Sequence, residues 1–499
     1  MAKKSRPAPQ ASVEALDTLV QQFSQPLAFL RELIQNSLDA ATNRIEVEVV
    51  YDEGESCARV QVTDWGEGMN REVIDTQLTR LFSSTKEGDL TRIGKFGIGF
   101  VSIFAPNPKA VVVDSGRDGE YWRVLFHPDR SFERLQRHEP IEGTRVTSYI
   151  PVARNRFDKF RQECLQTVVY WCKHCDVEIR FNGKPINQPF ELGLPAEVRL
   201  EVPGSEVVAA PSLDEEPFYG FYNRGLTLLE GTGSPRPGVS FKLRSMYLEH
   251  TLTRDNVVQD KHYEKAMAVL DRAVTRLLPV RLFQELASRP DDVHLWKLAV
   301  DLAGRHKDLP PECLELKLFP SHGGMLALGD LKRASQVAWS PSSGPLIESL
   351  MSQRVAVLTG EAPWSLELAR QFFQVPLAEE HWFLAQPLEP GDDLAQLLEV
   401  ANRLLPGPRL QGGDFSQCGR LATRVSLTCS TPGRAEPVGK GGKQVLVNLQ
   451  HPLVEDLSRV VTRDPSLAGY LLGRAVLLET GRKLERQLLQ AAIKRRQSP

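Results

Sequence analysis

The sequence predicts an α+β fold, with a helix-and-sheet sandwich over residues 1–153 rather than a doubly wound parallel sheet. Three observations lead there. An amphipathic helix precedes a pair of alternating strands, a glycine-bearing turn follows the pair, and three more strands come before residue 153 without the regular helix-strand alternation of a parallel sheet. Further boundaries are expected at 290 and 385, giving an α/β middle domain (154–290), a small α/β subdomain (291–385) and a mixed C-terminal region (386–499).

Residues 12 to 41 read as two helical segments interrupted near Gln25-Pro26, with Pro26 suited to a first helical turn. On the second, Leu27, Leu30, Leu33, Ile34 and Leu38 share one side, and Glu32, Asn36 and Asp39 share the other. Ile45, Val47 and Val49 then alternate, as do Val60 and Val62 after a turn at Asp52 to Ser56, so a strand pair ends at Asp64. Gly66 and Gly68 follow, then a helix from about Asn70, a polar stretch from Ser83 to Arg92, and a glycine-rich entry into an apolar helix at Gly94 to Gly99. Strands are expected at Ala110 to Asp114, Tyr121 to Phe126 and Thr144 to Pro151.

Beyond them come a helix near Phe157 to Cys172, a turn at Asn182-Gly183 and a loop at Pro211 to Pro217. Helical periodicity dominates from His262 to Leu302, and Val355 to Leu358 reads as a strand. Thr431 to Lys443, rich in glycine, proline and charge, reads as a flexible loop or linker. A strand from Val445 to Leu449 and helices around Leu453 to Val461 and Leu467 to Leu484 follow.

Apolar content of 41% and charged content of 25% are those of a globular protein. With 61 basic and 63 acidic residues the formal charge is -2, so no bulk field draws the chain to nucleic acid or to an anionic membrane. Met1 to Gln10 is basic and lacks the apolar stretch of a signal peptide, and no run of about eighteen apolar residues occurs, so a cytoplasmic protein without a membrane partner is expected. Seven cysteines, scattered and odd in number, suit reduced thiols. Cys172, His174 and Cys175 form a C-x-H-C that could be half of a zinc site, but no second pair lies nearby, and ordinary buried thiols are the simpler reading.

Four short segments carry the chemistry. In Glu32-Leu-Ile-Gln-Asn36-Ser-Leu-Asp39, one helix face offers a carboxylate able to polarise water and an amide oxygen suited to magnesium. Asp64-Trp-Gly66-Glu-Gly68-Met69 follows a strand, and a carboxylate there can accept from a base amino group while the glycines admit close backbone approach. Gly94-Lys95-Phe96-Gly97-Ile98-Gly99-Phe100 leads into a helix whose amides can cradle phosphates. Its spacing is neither that of a P-loop nor that of a Rossmann turn. Glu142-Gly143-Thr144 starts a strand and brings a hydroxyl. Each alone has a plain reading: a solvated face, a D-x-G turn, a glycine-rich helix entry, a hairpin.

Together, in this order, the four segments resemble the nucleotide-binding boxes of the GHKL ATPases, and FLRELIQNSLDA at Phe29 to Ala40 with IGKFGIGFVSIF at Ile93 to Phe104 is most similar to the heat-shock protein 90 chaperones. The resemblance implies a Bergerat-type domain that binds ATP or ADP with Mg and hydrolyses ATP. Glu32 would be the water-activating base, Asn36 the magnesium ligand and Asp64 the adenine anchor, and Asp39 would belong to the same face. Gly66, Gly68 and Met69 would line the base pocket. Ser83 and Ser84 would open the lid, which runs to Arg92. Gly94, Lys95, Phe96, Gly97, Ile98, Gly99 and Phe100 would meet the phosphates, and Thr144 would back up adenine.

Leu248 to Asn256 resembles the chaperone segment whose arginine reaches the γ-phosphate, which would make Arg254 catalytic; an arginine in a helix capped by Thr253 is the plain alternative. The family further implies a homodimeric clamp acting on protein clients. Leu467, Leu471, Leu472, Val476 and Leu477 suit either dimerisation or an internal core. The charged linker of many chaperones is missing, and no resemblance extends past about residue 300. Two rivals remain: a GHKL clamp in DNA transactions, as in mismatch repair or topoisomerases, and a histidine protein kinase.

Overall fold

Alternation of β-branched and polar residues builds one large sheet in the first part of the chain. The structure is a computed structural model that describes residues 26–79, 99–250, 256–480 and 483–496. The expected helical segment before Gln25, the lid, Gly94 to Ile98 and Arg254 lie outside the described residues. The chain divides into two compact units, 1–274 and 275–499.

In the first unit, helix α1 (Phe29–Asp39) is followed by β1 (Arg44–Asp52) and β2 (Cys57–Asp64), an antiparallel pair in which Ile45 faces Asp64. β3 (Ala110–Arg117), β4 (Glu120–Phe126), β5 (Phe132–Gln136) and β6 (Gly143–Ile150) extend it. After helix α2 (Phe157–Cys172), β7 (Glu178–Phe181) pairs parallel with β1, and β8 (Lys184–Pro185) completes the order β5-β4-β3-β6-β2-β1-β7-β8. The architecture is α+β, as expected. β5 was not foreseen: it is an edge strand with Leu135 exposed, so the alternation that betrays a half-buried strand is weak there.

One core joins the helices to the sheet. Phe29, Leu30, Leu33 and Ile34 of α1 and Phe157, Cys164, Val168 and Cys172 of α2 pack with Ile45, Val47, Val49, Val60 and Val62. The helix expected from Asn70 begins there: the Asn70 side chain caps the amide of Val73, and the turn loosens into a π-helix at Ile74–Leu78. The chain turns at Asn182 and Gly183, both at positive φ.

A second sheet follows in the same unit: β9 (Val198–Val202), β10 (Ser205–Pro211), β11 (Phe218–Asn223), β12 (Leu226–Thr232) and β13 (Val239–Ser245), in the order β12-β11-β13-β10-β9. The loop expected at Pro211 to Pro217 separates β10 from β11, and helix α3 (Lys261–Arg272) packs on β10 and β13. Cys172 and Cys175 are buried thiols. Burial, then hydrogen bonding to Cys175, holds the Cys172 thiol well above its ordinary value. His174 between them is buried against Phe190 and Tyr222, and burial followed by the Lys242 charge lowers its pKa to about 4. Among the described residues no group of three or more His, Cys, Asp or Glu is placed to hold a metal ion.

In the second unit, four strands order as Gly324–Ala327, Lys317–Ser321, Val355–Thr359 and Gln336–Ser340, and a second sheet of five is centred on Leu410–Gln417. Thr431 to Lys443 is not a free linker. The amides of Ser430 and Thr431 donate to the buried Glu436 carboxylate at 2.7 and 2.6 Å, Ala435 donates to Ser349 Oγ, and Val438 donates to the His381 carbonyl. Composition marked the turn but not the carboxylate that ties it down. Leu472, Val476 and Leu477 lie in a core with Leu397, Ala401 and Leu404, which is the internal-stripe reading; Leu467 is exposed. No described helix is long and apolar enough to cross a membrane.

Candidate functional site

Two carboxylates on buried backbone define the site. At the end of β2 the Asp64 carboxylate, 6% exposed, accepts from Ser37 Oγ (3.0 Å), the Gly66 amide (3.0 Å) and the Thr144 amide (3.3 Å). Burial pushes this carboxyl above the ordinary aspartate value, against the downward pull of the Gly66 amide, the Ser37 hydroxyl and the Thr144 amide. The register that pairs β2 with β6 sets Asp64 opposite Thr144, so the second and fourth segments meet by strand pairing alone.

The Thr144 hydroxyl does not reach Asp64 as expected. It bonds Ser115 Oγ at 2.8 Å, and the Ser115 hydroxyl also accepts from the Met69 amide at 2.8 Å. The backbone amide of Thr144 bonds Asp64 instead, and the hydroxyl goes to Ser115, which the β3–β6 register sets opposite Thr144.

The glycines of the second segment are sterically required. A Cβ on Gly66 would lie 2.4 Å from the Ala40 carbonyl oxygen, and one on Gly68, at φ +66, would lie 2.0 Å from the Gly116 carbonyl oxygen. Met69 packs partly buried against the core.

At the other end, Glu32 is 6% exposed and Arg31 5%. This departs from the polar face expected on α1: of its three residues only Asn36 and Asp39 are exposed. Arg31 Nη1 is 3.8 Å from Glu32 Oε1, and the Arg31 guanidinium lies over the Trp171 ring, 4.7 Å from its centroid. A Cβ on Gly99 would come within 2.6 Å of Glu32 Oε2, so the third segment delivers bare backbone to this carboxylate. Phe100 turns into the core, its ring 5.6 Å from Phe126. Asp39 is directed to Arg224 at the β11–β12 turn, 3.4 Å away, and is not among the groups gathered round Asp64. Burial raises its pKa and the Arg224 charge lowers it.

Asn36 presents an exposed carboxamide next to Ser37 on α1. Its carboxamide oxygen is a hard donor of the kind that magnesium accepts. Ser83, Ser84, Gly94, Lys95, Phe96, Gly97, Ile98 and Arg254 fall outside the described residues. Sequence reasoning missed Ser37, Ser115, Arg31, Trp171 and His250. Ser37 sits inside the first segment and was legible as a hydroxyl one residue from Asn36; the others carry no local signal.

Residues 26–142 match the family described as histidine kinase-, DNA gyrase B-, and HSP90-like ATPase. The chain is 28% identical over 244 residues to the chaperone protein HtpG of Anaplasma phagocytophilum (strain HZ), covering 41% of this chain and 37% of that protein. It is 30% identical over 172 residues to HtpG of Ehrlichia ruminantium (strain Gardel), covering 28% and 27%. It is also 24% identical over 326 residues to the DNA mismatch repair protein MutL of Streptococcus equi subsp. equi (strain 4047), covering 59% and 48%. The chain thus spans less than half the length of each of these relatives. Over residues 26–142, which hold both Glu32 on α1 and Asp64 at the end of β2, the chain is similar to the GHKL ATPases, and part of it resembles the HSP90 chaperones.

Proposed function

We propose that this protein binds ATP with Mg, hydrolyses it to ADP and phosphate, and uses the cycle to open and close a homodimeric clamp on protein clients. The observation that carries the nucleotide reading is the Asp64 carboxylate, held by three donors beside a backbone with no room for a Cβ at Gly66 or Gly68. A fixed, desolvated acceptor of this kind selects an amino group, which suits adenine.

Glu32 takes the proton of the attacking water as its oxygen closes on the γ-phosphorus, and the bond to the leaving ADP oxygen breaks. Asn36 would hold magnesium, which when bound would neutralise charge on the phosphates. Gly94, Gly97 and Gly99 offer amides to the phosphates, Lys95 adds a cation, Ser83 and Ser84 start the lid, and Arg254 completes the hydrolytic state. ATP drives closure only through a higher affinity for the closed clamp.

Glu32→Ala tests the chemistry: ATP binding is retained and turnover falls by about 10² or more, the scale of a general base. Loss of binding with turnover would sink that role. Scattering with and without a non-hydrolysable ATP analogue tests the clamp: a dimer that compacts supports it, and an unchanged monomer contradicts it. A second reading, a clamp in DNA transactions, is favoured by the similarity to MutL over the longer 326-residue stretch. Salt-sensitive DNA binding would decide for it; the formal charge of -2 speaks for protein clients.

A further inference from the structure

Three side chains stand in one row across the first sheet. Asp64 of β2 lies opposite Thr144 of β6, and Thr144 lies opposite Ser115 of β3. Asp64 accepts from the Ser37 hydroxyl and from the Gly66 and Thr144 amides. Ser115 is one strand further along the row and only 1% exposed.

A serine hydroxyl has one proton to give and lone pairs to accept two. Around Ser115 Oγ stand the Met69 amide at 2.8 Å, the Gly143 carbonyl at 3.1 Å and Thr144 Oγ1 at 2.8 Å. An amide only donates and a carbonyl only accepts, so two of these three directions are set. The Met69 amide gives its proton to Ser115, and Ser115 gives its own to Gly143.

With the Ser115 proton spent, the bond to Thr144 runs from the Thr144 hydroxyl to Ser115. The reverse direction would turn a Ser115 lone pair against the Gly143 carbonyl oxygen in a place closed to solvent, leaving acceptor facing acceptor. Gly143 is paired with Gly116 of β3 and packs so closely on β2 that a Cβ on it would lie 2.2 Å from the Asp64 carbonyl oxygen, so its own carbonyl has little room to turn away.

We propose that Ser115 is a positioning residue for base selection, which draws the Thr144 proton toward β3 and leaves Thr144 Oγ1 with lone pairs only beside the Asp64 carboxylate. Both groups then only accept. Such a pair suits the exocyclic amino group of adenine and opposes the carbonyl oxygen that hypoxanthine and guanine carry at the same ring position. This rests on the reading of Asp64 as the adenine anchor. Asp64 selects a donor, but the ring N–H of hypoxanthine or guanine is a donor too. The direction of the Thr144 proton makes the difference, because a Thr144 hydroxyl free to rotate can donate to the neighbouring carbonyl oxygen.

The test is calorimetric binding of ADP and IDP to the full chain, two nucleotides that are not turned over and that differ at that ring position. The wild type prefers ADP by about 100-fold, and Ser115→Ala narrows the preference about tenfold. A mere loss of packing weakens both nucleotides alike and leaves their ratio where it was. Ser115→Cys, close in shape but a weak acceptor, gives the same narrowing if the alanine variant folds poorly. Thr144→Val narrows the ratio as well, and adding Ser115→Ala to it changes nothing further, because Ser115 acts through the Thr144 hydroxyl. A ratio within about twofold of wild type in Ser115→Ala and Ser115→Cys overturns the inference. So does an equal further narrowing in the Thr144→Val background, or a wild type that binds the two nucleotides alike. If Asp64→Asn leaves ADP binding untouched, the adenine anchor falls and this role falls with it; if Asp64→Asn weakens ADP and Ser115→Ala keeps the ratio, only the Ser115 role is lost.

Discussion

The Asp64 corner, at the end of β2, and the Glu32 corner, on α1, both draw on that helix but are built in opposite ways. Asp64 is held by Ser37, Gly66 and Thr144, all delivered by α1 and the β2–β6 pairing of one sheet. Glu32 is surrounded by Gly99, by Arg31 and, through Arg31, by Trp171 of α2 and His250 from beyond the second sheet. The first corner therefore draws on α1 and neighbouring strands close to it in the fold, and the second on elements far along the chain.

The comparison can be broken most readily at Asp64. Asp64→Asn removes a charged acceptor from a buried site and should weaken ATP binding by about 10- to 100-fold, read by calorimetry. In the wild type, affinity should also fall on acidification, beginning at a higher pH than for an ordinary aspartate. Burial raises this carboxyl, so it takes up its proton early as pH drops and then no longer accepts from the amino group. The asparagine variant should lose that pH dependence. An equal loss of binding in Glu32→Ala would erase the distinction between the corners.

A smaller effect sharpens the steric half of the claim. Gly68→Ala puts a Cβ 2.0 Å from the Gly116 carbonyl oxygen at φ +66, and should cost about 2 kcal/mol in urea unfolding. Ser37→Ala should be milder still. It removes one of three donors to Asp64, about 1 kcal/mol, read as roughly a fivefold loss of ATP affinity with turnover at saturation unchanged.

The Asp64 corner was legible because its parts are short motifs at strand ends: a D-x-G after β2 and a Gly-Thr opening β6, which antiparallel pairing brings together. The Glu32 corner was legible only as a helix face. Periodicity groups Glu32, Asn36 and Asp39, but cannot say that α2 and His250 will cover the Arg31–Glu32 end while Asn36 stays exposed. Arg31 reads as a surface arginine until Trp171 is known to lie on it. The edge strand β5 and the tether at Glu436 escaped for a related reason: one lacks alternation, and the other depends on a carboxylate that local composition treats as solvated.

The most direct measurement is a crystal structure of the chain with Mg and a non-hydrolysable ATP analogue. The account predicts the adenine amino group within hydrogen-bond distance of the Asp64 carboxylate, and the γ-phosphate beside Gly99 and Glu32, on a single bound nucleotide. An analogue seated elsewhere, or one that touches Asp64 while its phosphates turn away from Glu32, would contradict it.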